Sequence, residues 1–230
     1  REAIGEAERD LGSRLRGLII DVRGNPGGLL DQAIKVADLF LETGAILRTR
    51  GRHPRSNQSF DADSDVIASH LPIAVLLDGA SASAAEIVAS ALQDQGRAIV
   101  VGASSFGKGS VQQVLRLPNG GELILTWARM HAPSGYILNQ YGVLPTICTS
   151  QMRDSTTAIA DLVTRTGSLI RQDFKTRRHA DTDAYRRLKK MCPWQPHNGE
   201  DLDLEVAEGI LDNRKLYEKV LSFAKTQTGS

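Results

Sequence analysis

At 230 residues, with 41% apolar and 24% charged positions, the chain can bury a sizeable core and has the composition of an ordinary globular protein. Its 28 basic and 27 acidic residues leave a formal net charge of +1, which argues against nucleic acid as the main partner. No stretch approaches the roughly 20 uninterrupted apolar residues needed to cross a bilayer.

The chain starts at Arg1 rather than Met, and "REAIGEAERDLGSRLRG" reads as a charged helix already under way. A fragment or processed chain is expected, so the lack of a signal peptide says nothing about export. "GLIIDVR" (17–23) is a short apolar, β-branched run read as a buried strand, and "GNPGG" punctuates it. The helix expected next places Leu30, Ala33, Ile34, Ala37, Phe40 and Leu41 on one face. "AILRTRGR" is a further strand and "HPRSNQSFDADSD" a polar loop. "PIAVLLDG" (72–79) is a second buried strand that leads into a helix from about Ser83 to Asp94, and "RAIVVG" (97–102) is a third. Strand alternating with helix predicts an α/β layered core on a largely parallel sheet.

After Lys108 the pattern changes. "SVQQVLRL", the turn "PNGG" and "ELILTWARM" read as a β-hairpin. From about residue 151 the chain is more polar and less regular. Arg171, Lys175, Arg177, Arg178, Arg186, Arg187, Lys189 and Lys190 outnumber Asp173, Asp181 and Asp183 there. That balance predicts a solvated, partly disordered segment, with contact to an anionic surface as the alternative. "DLDLEVAEGILDNRKLYEKVLSFAK" predicts one or two closing amphipathic helices. The expected divisions are a core over 1–149, an irregular basic segment over 150–200 and a helical segment over 201–230.

Two motifs compete for chemistry. In "GASSFGKGS" (102–110), Gly102, Gly107 and Lys108 fit the spacing of a phosphate-binding loop. Gly109 stands where such a loop needs Ser or Thr for Mg²⁺, and a β-like stretch follows instead of a helix, so nucleotide binding is not favoured. The second motif is "DGASASAAEI" (78–87). Ser83 lies where a buried strand gives way to a helix, whose first amides lack internal partners and carry the positive end of its dipole. An oxyanion formed beside that hydroxyl would meet donors already in place. On this feature alone the plainer reading, that Ser81 or Ser83 is a helix cap, is favoured. None of the five histidines completes a Ser-His-Asp pattern, and the G-x-S-x-G elbow is absent. A lysine can serve a serine as base if burial disfavours its charged form, and Phe106 and the flanking glycines suggest such a setting for Lys108.

Cys148 and Cys192 are the only cysteines and have no metal-ligand spacing. Buried free thiols and a single disulfide, which requires an oxidising compartment, both stay open.

Taken together, "GLIIDVRGNPGGLLDQAIKVADLFL", "ASASAAEIVASALQDQGRAIVVGASSFGKGSVQ" and "PNGGELILT" followed by "PSG" and "GVLP" resemble the C-terminal processing peptidases, also called tail-specific proteases. The likeness runs in the family's order over about residues 15–147. It implies a ClpP/crotonase-like layered α/β core with a β-hairpin, followed by a less regular, partly helical C-terminal region. It also implies a serine endopeptidase with a Ser-Lys pair and no cofactor or metal. In the family's S-A-S-A-S-E run the middle serine is the nucleophile, and the lysine follows 25 positions later. That match selects Ser83 and Lys108, whereas Ser81 lies 27 positions from the lysine. Gln112, four residues past Lys108, takes the place of the family's glutamine that orients the lysine.

Gly27 and Gly28 match the segment that supplies amide donors near the oxyanion, with the Ala84 amide at the start of the helix beside them. Ala85 departs from the family, which usually has a third serine there. The family also usually carries a PDZ domain and a further core strand before the point where this sequence starts. The implied partners are protein or peptide substrates with apolar C-terminal tails; peripheral membrane association and oligomeric state are left open. The implied location is a bacterial periplasm or cell envelope. A non-catalytic scaffold or inactive fragment, and a crotonase-like acyl-CoA enzyme, are the alternatives; neither requires Ser83, Lys108 and Gln112 together. If Lys108 is the base, Lys108→Arg is expected to be as inactive as Lys108→Ala in a peptide-hydrolysis assay, because a guanidinium with a pKa above ~12 cannot accept the serine proton.

Overall fold

A computed structural model of the chain describes residues 1–63, 66–150, 152, 182–194 and 201–225. The first half runs α1 (Glu2–Leu11), β1 (Leu18–Asp21), α2 (Leu30–Asp38), β2 (Ala45–Arg50), β3 (Gln58–Asp61), β4 (Ile73–Leu77) and α3 (Ala84–Asp94). β5 (Ile99–Gly102), β6 (Ser110–Arg116), β7 (Glu122–His131), β8 (Ile147–Cys148), α4 (Thr182–Met191), α5 (Leu202–Leu211) and α6 (Arg214–Lys225) follow.

The apolar runs of the sequence form a parallel sheet in the order β1-β4-β5-β8. β4 lies at its centre, with Val75 opposite Ile20 on one side and Val100 on the other. Its five residues are all buried, because both faces of the sheet are covered. Ile73, Val75 and Leu77 face a core built with Ala33 and Ala37 of α2 and Ile87, Val88 and Leu92 of α3. Ala74 and Leu76 face the opposite way, onto Val206, Ala207 and Ile210 of α5 and Tyr217 and Val220 of α6. The period-two alternation of a strand thus divides one apolar run between two cores. Residues 202–225 pack as a covering layer of the same sheet that residues 18–148 build. The closing helical pattern is two helices; between them, Asn213 Oδ1 accepts a hydrogen bond from the Leu216 amide at 3.1 Å.

Polar contacts fasten that layer to the sheet. The Tyr217 hydroxyl accepts from the Ile73 amide at 3.1 Å and faces the carbonyls of Ile73 and Arg97 at 3.3 Å. Burial pushes this phenol's pKa up, which keeps it neutral and able to donate. Arg23, just past β1, forms a two-pronged pair with Asp21 and another with Asp201, the residue capping α5. Hydrogen bonding to Arg23 holds the Asp21 carboxyl below the usual range.

The second sheet is antiparallel, in the order β3-β2-β7-β6. Its inner residues Ile46, Leu47 and Met130 join the α2/α3 core. β3 lies inside the stretch expected to be a polar loop. Phe60 is its one apolar anchor, so the sequence shows no alternation there, and pairing with β2 (Leu47 to Phe60, Thr49 to Gln58) is what makes it a strand. β8, only two residues long, was likewise not expected. β6 and β7 form the expected hairpin. A bulge leaves Trp127 between Ala128, opposite Val111, and Thr126, opposite Gln112. The Trp127 ring stacks on His53 with centroids 5.1 Å apart.

Arg171, Lys175, Arg177, Arg178, Asp173 and Asp181 of the basic segment lie outside the described residues. Its end forms α4 instead of continuing as an irregular stretch. A disulfide joins Cys148, at the end of β8, to Cys192, just past α4, with Cα atoms 5.8 Å apart. Cys192 is fully buried and its carbonyl accepts from the Ser104 amide at 3.0 Å. The bond closes a loop with a sequence separation of 44. Cys192→Ser with Cys148→Ser is therefore expected to lower stability by about 3–4 kcal/mol on the chain-entropy estimate. Urea unfolding with and without reductant measures this; reductant should move only the unmutated protein.

Candidate functional site

The carboxyl ends of β1, β4 and β5 converge on the turn that precedes α3. Asp78, one residue past β4, organises that turn. Its Oδ1 accepts from the amides of Gly24, Ala80 and Ser81 and from the Ser81 hydroxyl, all within 2.9–3.0 Å. Ser81 is fully buried. Its Oγ also lies 2.8 Å from the Val22 carbonyl and accepts from the Asp78 amide at 3.0 Å. Every valence of that hydroxyl serves the turn.

Ser83 is placed differently. It is partly exposed at the N-cap of α3, with φ 55° and ψ −112°. A non-glycine residue in that region costs on the order of 1–3 kcal/mol and persists only where its surroundings impose it. Two neighbours do so here. A Cβ built on Gly27 (φ 104°) would lie 2.7 Å from the Ser83 Cβ and 2.9 Å from the Ala82 carbonyl oxygen, so only glycine lets the 24–28 turn approach this closely. The Ser83 amide donates to Glu86 Oε2 at 2.8 Å. The result is a strained strand-turn-helix that lifts a hydroxyl above a sheet edge, without the G-x-S-x-G sequence that usually signals one.

Glu86 is fully buried and accepts four hydrogen bonds. Besides Ser83, these come from the Lys108 amide to Oε2 at 2.9 Å, the Gly107 amide to Oε1 at 2.6 Å and the Ser105 hydroxyl to Oε1 at 2.5 Å. One carboxylate thereby couples the backbone of Ser83 to the backbone of Lys108 across 25 residues of sequence. The 104–107 loop is latched further by the Phe106 amide on the Ser81 carbonyl at 3.0 Å and by Val143 on the Ser105 hydroxyl at 2.7 Å.

The Lys108 side chain is exposed, and Phe106, expected to shield it, is itself 62% exposed. The close packing expected from "SFGKGS" is spent on the backbone: the loop turns its amides inward to Glu86 and its side chains outward. Gln112 is also exposed. Val111 packs toward the core, so the next residue on β6 faces the opposite side. Among the described residues neither the Lys108 amine nor the Gln112 amide makes a hydrogen bond, so the expected orienting contact is not formed here. Of the three expected oxyanion donors, the Gly27 amide is taken by Asn25 Oδ1 at 2.9 Å. The exposed Gly28 amide and the partly exposed Ala84 amide have no partner among the described residues. Ala85 is buried against the α2/α3 core, where a methyl group packs better than the usual serine hydroxyl.

The sequence pattern described as peptidase family S41 matches residues 1–149. The chain belongs to peptidase family S41. A carboxy-terminal-processing protease of Bartonella bacilliformis is 49% identical over 138 residues, covering 60% of this chain and 32% of that protein. A carboxyl-terminal-processing protease of Picosynechococcus is 39% identical over 127 residues, covering 55% and 30%. Among solved structures, the photosystem II D1 C-terminal processing protease superposes with a TM-score of 0.56 at 33% identity, covering 63% of this chain and 37% of that one. The chain spans about a third of the length of the curated relatives it matches. The S41 match ends at Thr149, before α4, α5 and α6, so the disulfide crosses from the family core into sequence beyond it.

Sequence reasoning on this S41 chain gave Glu86 no role, although Ser83-Ala84-Ala85-Glu86 has the S-x-x-E spacing in which Glu reaches back to the cap amide. That spacing accounts for one of the four bonds; the other three cross to another loop. Lys189 of α4 is a second omission. Its amine donates to the Phe106 carbonyl at 2.9 Å, and burial pushes its pKa down while the Glu86 carboxylate opposes that shift. Glu86→Gln puts amide hydrogens where backbone donors already point. It is expected to cost about 3 kcal/mol of stability, read by thermal unfolding. It should also slow acylation of Ser83 more than tenfold at a temperature where the variant is still folded.

Proposed function

We propose that this chain is the catalytic core of a serine endopeptidase that cleaves proteins at or near apolar C-terminal tails. Ser83 is the nucleophile, Lys108 the base and Gln112 its orienting partner. The observation that carries the reading is the strained Ser83 turn tied through Glu86 to the Lys108 backbone. Ser83 and Glu86 also form the capping box of α3, with the Glu86 side chain taking the Ser83 amide, but a plain helix cap does not call for that strain.

In this reading Ser83 Oγ attacks the scissile carbonyl carbon while the Lys108 amine takes the hydroxyl proton. The oxyanion faces the amides of Gly28 and Ala84 at the positive end of α3. Lys108 passes its proton to the leaving nitrogen, the C–N bond breaks and an acyl ester remains on Ser83. Water then attacks the ester, Lys108 takes its proton and returns it to Ser83 Oγ as the carboxylic acid leaves. Lys108 is exposed before substrate arrives. A peptide laid across the turn covers its amine and removes the water around it. The Cys148–Cys192 bond supports an oxidising setting, in line with a bacterial periplasm or cell envelope. An inactive scaffold is less well supported, since selection for packing alone gives no reason to keep Ser83 at positive φ.

A fluorophosphonate probe should label Ser83, with the site mapped by mass spectrometry. Ser83→Ala is expected to abolish labelling and hydrolysis. Ser81→Ala should keep both while losing about 1–3 kcal/mol of stability, because it takes the Ser81 acceptor from the Asp78 amide. Labelling of Ser81, or a labelled Ser83→Ala variant, would overturn the assignment.

A further inference from the structure

Between the Ser104–Phe106 loop and the end of α4 lies a cavity of about 480 Å³, lined by Gly79, Ser104, Ser105 and Phe106 from the S41 core and by Arg186, Lys189, Lys190, Pro193 and Trp194 from beyond it. The core wall is the catalytic framework itself. Gly79 sits in the Asp78 turn, and the Ser104–Phe106 loop is the one that hangs on Glu86 and leads into Lys108. The other wall is held in place by the disulfide, by the Ser104 amide on the Cys192 carbonyl and by Lys189 on the Phe106 carbonyl. Gly79 admits Trp194: a Cβ built there would come 2.5 Å from the Trp194 Cβ.

Two features of the cavity go beyond what the fold needs. Its floor is apolar, from Phe106 (62% exposed), Pro193 and Trp194 (53% exposed). Its charged lining is entirely cationic, with Arg186, Lys189 and Lys190 and no carboxylate among the lining residues. Arg186 does hold one surface ion pair, with Asp183 at 3.1 Å, whereas the Lys189 amine spends one of its three donors on Phe106 and keeps two.

We infer that this cavity binds the free C-terminal residue of a peptide, its carboxylate held by Lys189 and the neighbouring cations and its apolar side chain laid against Phe106 and Trp194. The ligand chemistry follows from the lining: one negative charge and an apolar group alongside. A peptide C-terminus with an aliphatic side chain carries both on one residue. Because the cavity shares its wall with the Ser83–Lys108 framework, a chain end anchored there presents an upstream peptide bond to Ser83. The pocket thus lies on the leaving-group side and selects short tails. This assignment rests on the peptidase reading for its substrate class, but its binding chemistry can be tested separately.

The test compares N-acetyl-Ala-Leu-Val as the free acid and as the C-terminal amide, by calorimetric titration of the protein. The acid is expected to bind at least tenfold more tightly, and an acid ending in Asp at least tenfold more weakly than the one ending in Val. Lys189→Gln should remove the acid-over-amide preference, and Trp194→Ala the Val-over-Asp preference. Both variants should still be labelled at Ser83 by the fluorophosphonate. Equal binding of acid and amide by the unmutated protein, or a preference that survives Lys189→Gln, overturns the proposal. Labelling of Ser83 without any acid preference sinks the pocket and leaves the nucleophile standing. A preference without labelling does the reverse.

Discussion

The Ser83 turn and the loop that leads into Lys108 both depend on one buried carboxylate. Glu86 takes four hydrogen bonds, from Ser83, Lys108, Gly107 and Ser105, and among the described residues no cation is bonded to it. Three backbone amides and one hydroxyl converge on it, much as amides do at an anion-binding helix terminus. That arrangement works only if the α3 turn and the 104–108 loop arrive together with their amides converging. It therefore converts a local requirement, a satisfied buried charge, into a long-range one. The positive φ of Ser83 and the close approach of Gly27 follow from the same constraint, since the turn must be tight for the Ser83 amide to reach a side chain three residues on.

This division of labour separates the two serines of the motif. Ser81 is consumed by the turn, donating and accepting with Asp78 and Val22. Ser83 keeps its hydroxyl at the surface. A similar separation holds for the lysine: its backbone is fixed by Glu86 while its side chain stays in water. The arrangement is fixed at the level of the main chain, while the side chains of Lys108 and Gln112 stay exposed. In the proposed reaction the substrate itself would exclude water from them.

The segment beyond the family match completes the molecule in two ways. α5 and α6 cover the second face of the parallel sheet, without which Ala74, Leu76, Ile99 and Val101 would be open to water. α4 and the Cys192–Trp194 stretch add nothing comparable to the core, apart from the buried Cys192. They wall the cavity against the Ser104–Phe106 loop and set positive charge around an apolar floor.

Much of this was legible in the sequence. The strands at 18–21, 73–77 and 99–102 are short, continuous apolar runs, and their alternation with helices predicts the parallel sheet without reference to distant residues. The hairpin declares itself by "PNGG", and the Ser83-to-Lys108 spacing is a linear property that a resemblance can carry over. What tertiary structure alone decided are the features made by residues far apart in the chain. β3 becomes a strand through β2, because one Phe cannot announce a period. Lys108 lies in water because its loop spends its close packing on amides, a choice that residue type does not encode. Of the four donors on Glu86, the sequence window reveals only the one three residues away; the others come from more than eighteen positions downstream. Cysteine spacing left thiols and disulfide equally open, since a bond needs two Cα atoms within about 7 Å, and only the fold brings residues 148 and 192 together. Periodicity and local spacing are written along the chain, whereas charge satisfaction, burial and cavity walls are properties of contact, and contact is set by the whole fold.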